Sequence, residues 1–130
     1  MDLLLHLSEL SSEPLHAQIT RQIRAQVLAE ELAGNDPLPS IRALAREQRV
    51  SVITVQRAYE DLEREGLVRS RPGKGFFVAP IPEERKQDMA EQRFEEALAR
   101  LVAESTAEGM DEPQIREAFE RVLRTKGGTR

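Results

Sequence analysis

Cysteine and tryptophan are both missing from these 130 residues, and the aromatic content stops at four Phe and one Tyr. Without a thiol there is no disulfide, no Cys-ligated zinc and no thiol nucleophile. Histidine is nearly as scarce. His6 and His16 stand ten positions apart with no second ligand three or four residues away, so structural roles are expected for both and a metal site is not. No stretch of 18 apolar residues occurs, and the first ten residues carry Asp2 and Glu9 without a basic flank. Neither a membrane span nor a signal peptide is therefore expected, and the cytoplasm is the expected location. With 39% hydrophobic residues, the core has to be made from Leu, Ile, Val and Ala. One small domain with a short appendage is the natural size, and a large catalytic fold is not expected.

The net charge of −4 argues against a polyanion partner only until it is divided along the chain. Residues 1–13 sum to −3, residues 14–79 to +2 and residues 80–130 to −3. Within residues 39–79 there are eight bases against five acids. A local patch decides polyanion binding, so a DNA-binding middle remains allowed.

Leu3, Leu5 and Leu7 alternate with more polar neighbours until Ser11, Ser12 and Pro14 interrupt, which reads as an extended arm over residues 1–13. Leu15, Ile19, Ile23, Val27 and Leu28 then recur at helical spacing, and the helix they predict runs to about residue 32, ahead of Gly34, Asn35, Asp36 and Pro37. Ser40 can cap a short helix whose inner face is Ile41, Leu44 and Ala45, and Ser51 can cap the next. That second helix, about residues 51–65, puts Val55, Ala58, Tyr59 and Leu62 on one face and closes at Gly66. Residues 67–71 and 76–79 read as short strands around Pro72, Gly73, Lys74 and Gly75.

Helix, helix, turn, helix, hairpin is the order of a winged helix-turn-helix, here over residues 14–79. Beyond Pro80 and Pro82, a helix is predicted from Glu83 to about Ala107, with Met89, Phe94, Leu98, Leu101 and Val102 at helical spacing. Another begins at Asp111, Glu112 and Pro113 and carries Ile115, Phe119, Val122 and Leu123, before a frayed end from Lys126. The predicted fold is thus mainly α with a small β-hairpin. Two helices of this length cannot close a core of their own, so residues 80–130 are expected to form a dimerisation region.

Residues 38–79 resemble the GntR family of bacterial transcription regulators. Its Leu-Pro-Ser-x-Arg-x-Leu-Ala is matched by Leu38, Pro39, Ser40, Arg42, Leu44 and Ala45, and its Thr-Val-x-x-Ala-Tyr by Thr54, Val55, Ala58 and Tyr59. Leu62, Gly66, Leu67 and Val68 match its Leu-x-x-x-Gly-Leu-Val, while Pro72, Gly73, Gly75, Phe77 and Val78 match its wing. Upstream, Pro14, Leu15, Gln18 and Ile19 fit its Pro-Leu-Tyr-x-Gln-Ile, with His16 in place of the Tyr. The short tail is similar to that of the YtrA-type subfamily. The resemblance implies a symmetric dimer that represses operons, often ones for membrane transporters, by binding a palindromic double-stranded DNA operator. Where many relatives carry basic residues after the Ser and after Thr-Val, this chain has Val52 and Gln56, so their operator sequence does not transfer.

The candidate DNA contacts are Ser40 and Arg42, then Ser51, Ile53, Thr54, Gln56 and Arg57 on the second helix, and Arg71, Gly73, Lys74 and Gly75 on the wing. On a helical wheel Ile53 and Arg57 point away from the core and Thr54 and Gln56 lie on the flanks, whereas Val52 falls nearer the core side and reads as packing. Arg42 can donate two bonds to a phosphate or to guanine O6 and N7, and its alternative is a surface salt bridge with Glu47 or a neighbour. Lys74 either meets phosphate or the minor groove or is an ordinary turn lysine. The pairs Glu83/Glu84 and Glu95/Glu96 are solvated faces, and Gly73-Lys74-Gly75 lacks the Ser or Thr and the spacing of a P-loop. No nucleophile with a base and no cofactor motif is present, so the chain is read as not an enzyme and without cofactor. The competing reading is a winged-helix scaffold for protein interaction without specific DNA binding. A small-molecule effector, unidentified, has room only at the dimer interface or between reader and tail.

Overall fold

The computed structural model describes residues 3–128. In chain order these form α1 (Leu15–Leu28), α2 (Ile41–Gln48), α3 (Val52–Arg64), β1 (Val68–Arg71), β2 (Gly75–Val78), α4 (Glu83–Ala107) and α5 (Glu112–Gly128). The fold is mainly α with one antiparallel hairpin, as the apolar spacing predicts.

Ile19, Ile23 and Val27 recur every fourth residue on α1, and all three are fully buried. The helix stops at Leu28, four residues short of the predicted end. Glu30 takes a left-handed φ of 63°, and the N–H groups of Glu31 and Leu32 turn back to donate to the Gln26 carbonyl. That reversal carries Leu32 into the core. No glycine marks it, so periodicity alone runs through the stop.

Ser40 and Ser51 do cap their helices: each side chain accepts from the backbone N–H three residues on, Ala43 and Thr54 respectively. Arg49 ends α2 in the left-handed region at φ 57° and turns the chain into α3. Gly66, at φ 81°, ends α3, where the Leu67 N–H reaches back to the Leu62 carbonyl. α3 packs against α1, α2 and β1, and its Val55, Ala58, Tyr59 and Leu62 are the centre of the core.

The hairpin pairs Val68 with Val78 and Arg71 with Gly75. Between them the Lys74 N–H donates to the Arg71 carbonyl, with Pro72 and Gly73 at the two central positions and Gly73 at φ 72°. This is the pattern of a type II turn, which needs positive φ at its third residue. The segment before α2 lies along the other edge of β2: the Leu38 N–H donates to the Phe76 carbonyl and Pro37 bridges Phe77.

The chain divides into two compact units, Met1–Gln87 and Asp88–Arg130, and the division falls after the first turn of α4. In that turn Lys86 is almost fully buried and its Nζ lies 3.6 Å from Glu30 Oε1. A buried ammonium without a partner is costly, so the left-handed Glu30 supplies what Lys86 needs. In the second unit Asp111 caps α5 reciprocally with Gln114, each side chain meeting the other's backbone N–H. α5 remains helical through Gly128 rather than fraying from Lys126, and residues 129–130 lie outside the described residues.

Candidate nucleic-acid interface

Tyr59, the chain's one tyrosine, ties together three parts of the candidate interface. Its hydroxyl donates to the Pro39 carbonyl at 2.8 Å, immediately before the α2 cap. Its ring meets Phe76 of β2 edge-on, with centroids 5.0 Å apart. Since Tyr59 itself belongs to α3, one buried side chain links the head of α2, α3 and the hairpin. Burial, with a smaller contribution from the Glu47 charge, pushes its phenol well above the usual tyrosine range.

At the head of α3 the polar side chains are already engaged with one another. Ser51 Oγ accepts from the Thr54 N–H and lies 2.8 Å from Thr54 Oγ1, and Gln56 Nε2 donates to Glu60 Oε2 at 3.2 Å. Ile53 is 77% exposed, and Arg57 is exposed one turn further on. Val52, which helical spacing puts nearer the core, is 45% exposed. It is the first residue of α3, and the wheel overstates its burial.

On the wing, alternation places Val68 and Ser70 on one face of β1 and Arg69 and Arg71 on the other. Ser70 donates through both its N–H and its hydroxyl to Glu63 of α3, which fixes the inner face. On the outer face the Arg71 guanidinium lies 4.6 Å over the Phe77 ring and reaches Asn35 Oδ1. Lys74, Gly73 and Gly75 are exposed at the tip. Arg69 was not among the sequence candidates; strand alternation alone would have placed it beside Arg71.

The charges sort themselves by partner. Among the described residues, Arg42, Arg46, Arg49, Arg57, Arg69 and Lys74 make no ion pair, and Arg42 does not pair with Glu47. Most nearby acids are occupied: Glu65 by Arg24, Asp61 by Arg64, Glu63 by Ser70 and Glu60 by Gln56. The carboxylates of α3 all lie in its C-terminal half, so its head and the wing keep uncompensated positive charge.

The other candidates sit apart from this set. Phe94, Leu101, Phe119, Val122 and Leu123 are exposed, and Leu98, Val102 and Ile115 are half-buried. Helical geometry aligns Phe94, Leu98, Leu101 and Val102, but turns Met89 about half a revolution away, toward the side of Lys86. No group of three His, Asp or Glu side chains among the described residues could hold a metal, and no helix among them is long and apolar enough to cross a membrane. His16 lies 4.0 Å from Asp61, and His6 meets α1 through its backbone.

A capped helix-turn-helix with a cationic wing defines a DNA-binding protein of the winged-helix class. The family model for bacterial regulatory proteins of the gntR family matches residues 15–78. The chain is 35% identical over 102 residues to the uncharacterized HTH-type transcriptional regulator YhcF of Bacillus subtilis (strain 168), covering 78% of this chain and 79% of that one. It is 30% identical over 122 residues to the HTH-type transcriptional repressor YtrA of the same organism, covering 91% and 92%. Among solved structures, the DNA-binding domain of AraR in complex with operator ORX1 matches with a TM-score of 0.51 and 30% identity, over 58% of this chain and 93% of that one. The chain belongs to the GntR family, among its short YtrA- and YhcF-type members, and is a DNA-binding transcriptional regulator. These relatives are regulators rather than enzymes.

Proposed function

We propose that the protein is a homodimeric repressor that binds a palindromic operator, one reader per half-site. The observation that carries this is the set of unpaired cations on α2, α3 and the wing, beside acids that are tied to partners. In this reading the head of α3 enters the major groove with Ser51, Ile53, Thr54, Gln56 and Arg57. Arg42 at the head of α2 reaches a base edge, while Ser40 beside it and Arg69, Arg71, Gly73, Lys74 and Gly75 of the wing hold the flanking backbone. Residues 88–130 supply the dimer contact, because apart from Lys86 no described side chain of α4 or α5 is buried. Repression is the action named for YtrA of Bacillus subtilis.

Fluorescence polarisation on random and on selected duplexes tests the reading. Binding should weaken with salt, with a log–log slope of about −0.9 for each phosphate neutralised. Arg42→Ala should cost about 1 to 3 kcal/mol on the selected site if its guanidinium meets a base edge. An equal loss on random DNA makes Arg42 a phosphate clamp instead. The protein-scaffold alternative requires that no salt-dependent binding is seen at all.

A further inference from the structure

We infer that the head of α3 reads DNA chiefly through an apolar contact, with Ile53 packed on the 5-methyl group of a thymine and Val52 covering its flank. The inference rests on the DNA-reading function proposed above and adds which base feature is read. Three observations carry it. Ile53 is 77% exposed and Val52 45%, so two adjacent branched aliphatic side chains at the head of α3 leave much of their surface to solvent. The hydrogen-bonding groups around them are committed elsewhere: Ser51 and Thr54 to each other, Gln56 to Glu60. On α3 itself, Arg57 is an uncommitted polar side chain of the outward face, and it lies one helical turn further from the groove end.

A single exposed aliphatic residue needs no explanation. Two in sequence, at the one turn of the helix that reaches base edges, do. In the major groove each base pair offers donors and acceptors, which an isoleucine cannot use, and only thymine offers an apolar group. Packing Ile53 on that methyl removes water from both surfaces. Such a contact tells thymine from cytosine, and it reports directly on one carbon.

The test begins by selecting duplexes from a random pool with the full-length protein, then replacing each thymine of the recovered half-site by uracil, one at a time. Uracil lacks only the methyl. At one position the wild type should lose about fourfold in affinity, the worth of one buried carbon. Ile53→Ala should be indifferent to the same change, while Ile53→Val, which keeps a branched side chain, should retain most of the penalty. Because Ile53 is exposed, both variants should melt with the wild type. If the pool yields no enriched sequence, the DNA-reading function itself fails. If it yields a site but no uracil penalty vanishes in Ile53→Ala, that function stands and the methyl contact is wrong.

Discussion

At the scale of single residues, Tyr59 shows how a core side chain ties together the parts of a candidate interface from beneath it. Its hydroxyl is satisfied by the Pro39 carbonyl and its ring by Phe76, so the neutral phenol is the form the fold accepts. Below about pH 10 both folded and unfolded chains hold the neutral form, and its contribution to stability is complete. Above that value the unfolded chain ionises while the raised phenol of the folded chain does not, so stability falls as pH rises. As the chain contains one tyrosine, its ultraviolet ionisation signal is unambiguous. The absorbance change should coincide with alkaline unfolding rather than precede it, and Tyr59→Phe should flatten the alkaline loss at a cost of about 0.5 to 1.5 kcal/mol near neutrality. Ionisation of a still-folded protein near pH 10 would contradict this. The residue's place on the inner face was legible in the sequence, from its spacing with Val55, Ala58 and Leu62. Its bond to Pro39 was not, since twenty residues separate them and no local pattern relates the two.

Among the elements, those driven by periodicity were the legible ones: α4 spans the segment that the spacing predicts, and the wing falls around Pro72 and Gly73. What periodicity missed was fixed by pairing between distant segments. The left-handed Glu30, which shortens α1, meets Lys86 from the far end of the reader. The N-terminal arm gives the clearest case. Gln18, Gln22 and Gln26 form a second ridge on α1, and their side chains meet the backbones of Ser8, His6 and Leu4 respectively, so the arm runs antiparallel to the helix. The spacings agree: four helical residues rise about 6 Å, and two extended residues span about 6.5 Å. Glutamines thus do for the arm what a neighbouring strand would, while Leu3, Leu5 and Leu7 lie half-buried beneath it. Gln18 is buried and also donates to the Glu13 carbonyl, a physical reason for a glutamine at that place in the Pro-Leu-x-x-Gln-Ile match. Gln22→Ala should therefore abolish exchange protection of the His6 amide and spare that of Ser8, which Gln18 holds. Unchanged His6 protection would mean that the leucines alone retain the arm.

For the whole molecule, the division of apolar burial follows the division of the chain into two units. Unit Met1–Gln87 contains every fully buried hydrophobic side chain among the described residues and the unpaired cations of the reader, whereas the helices beyond it carry exposed Phe94, Leu101, Phe119, Val122 and Leu123. A helical pair with so little buried surface cannot be held by its own packing. A second copy of the same stripe is the partner that a homodimer would supply, and the gain for DNA binding is that the second half-site is met at high effective concentration. Truncation separates these roles, provided that the cut respects Lys86. Ending the chain at residue 82 would remove a buried side chain and leave Glu30 unpartnered, so loss of binding could reflect damage to the reader. Ending it after Gln87 retains the first turn of α4. That fragment should melt cooperatively and sediment as a monomer. On a palindromic site it should bind about 10²- to 10⁴-fold more weakly than the full chain, while on an isolated half-site the two should differ little. A fragment that sediments as a tight dimer would locate the contact within residues 1–87, and equal affinity of fragment and full chain for the palindrome would show that the readers do not act as a pair.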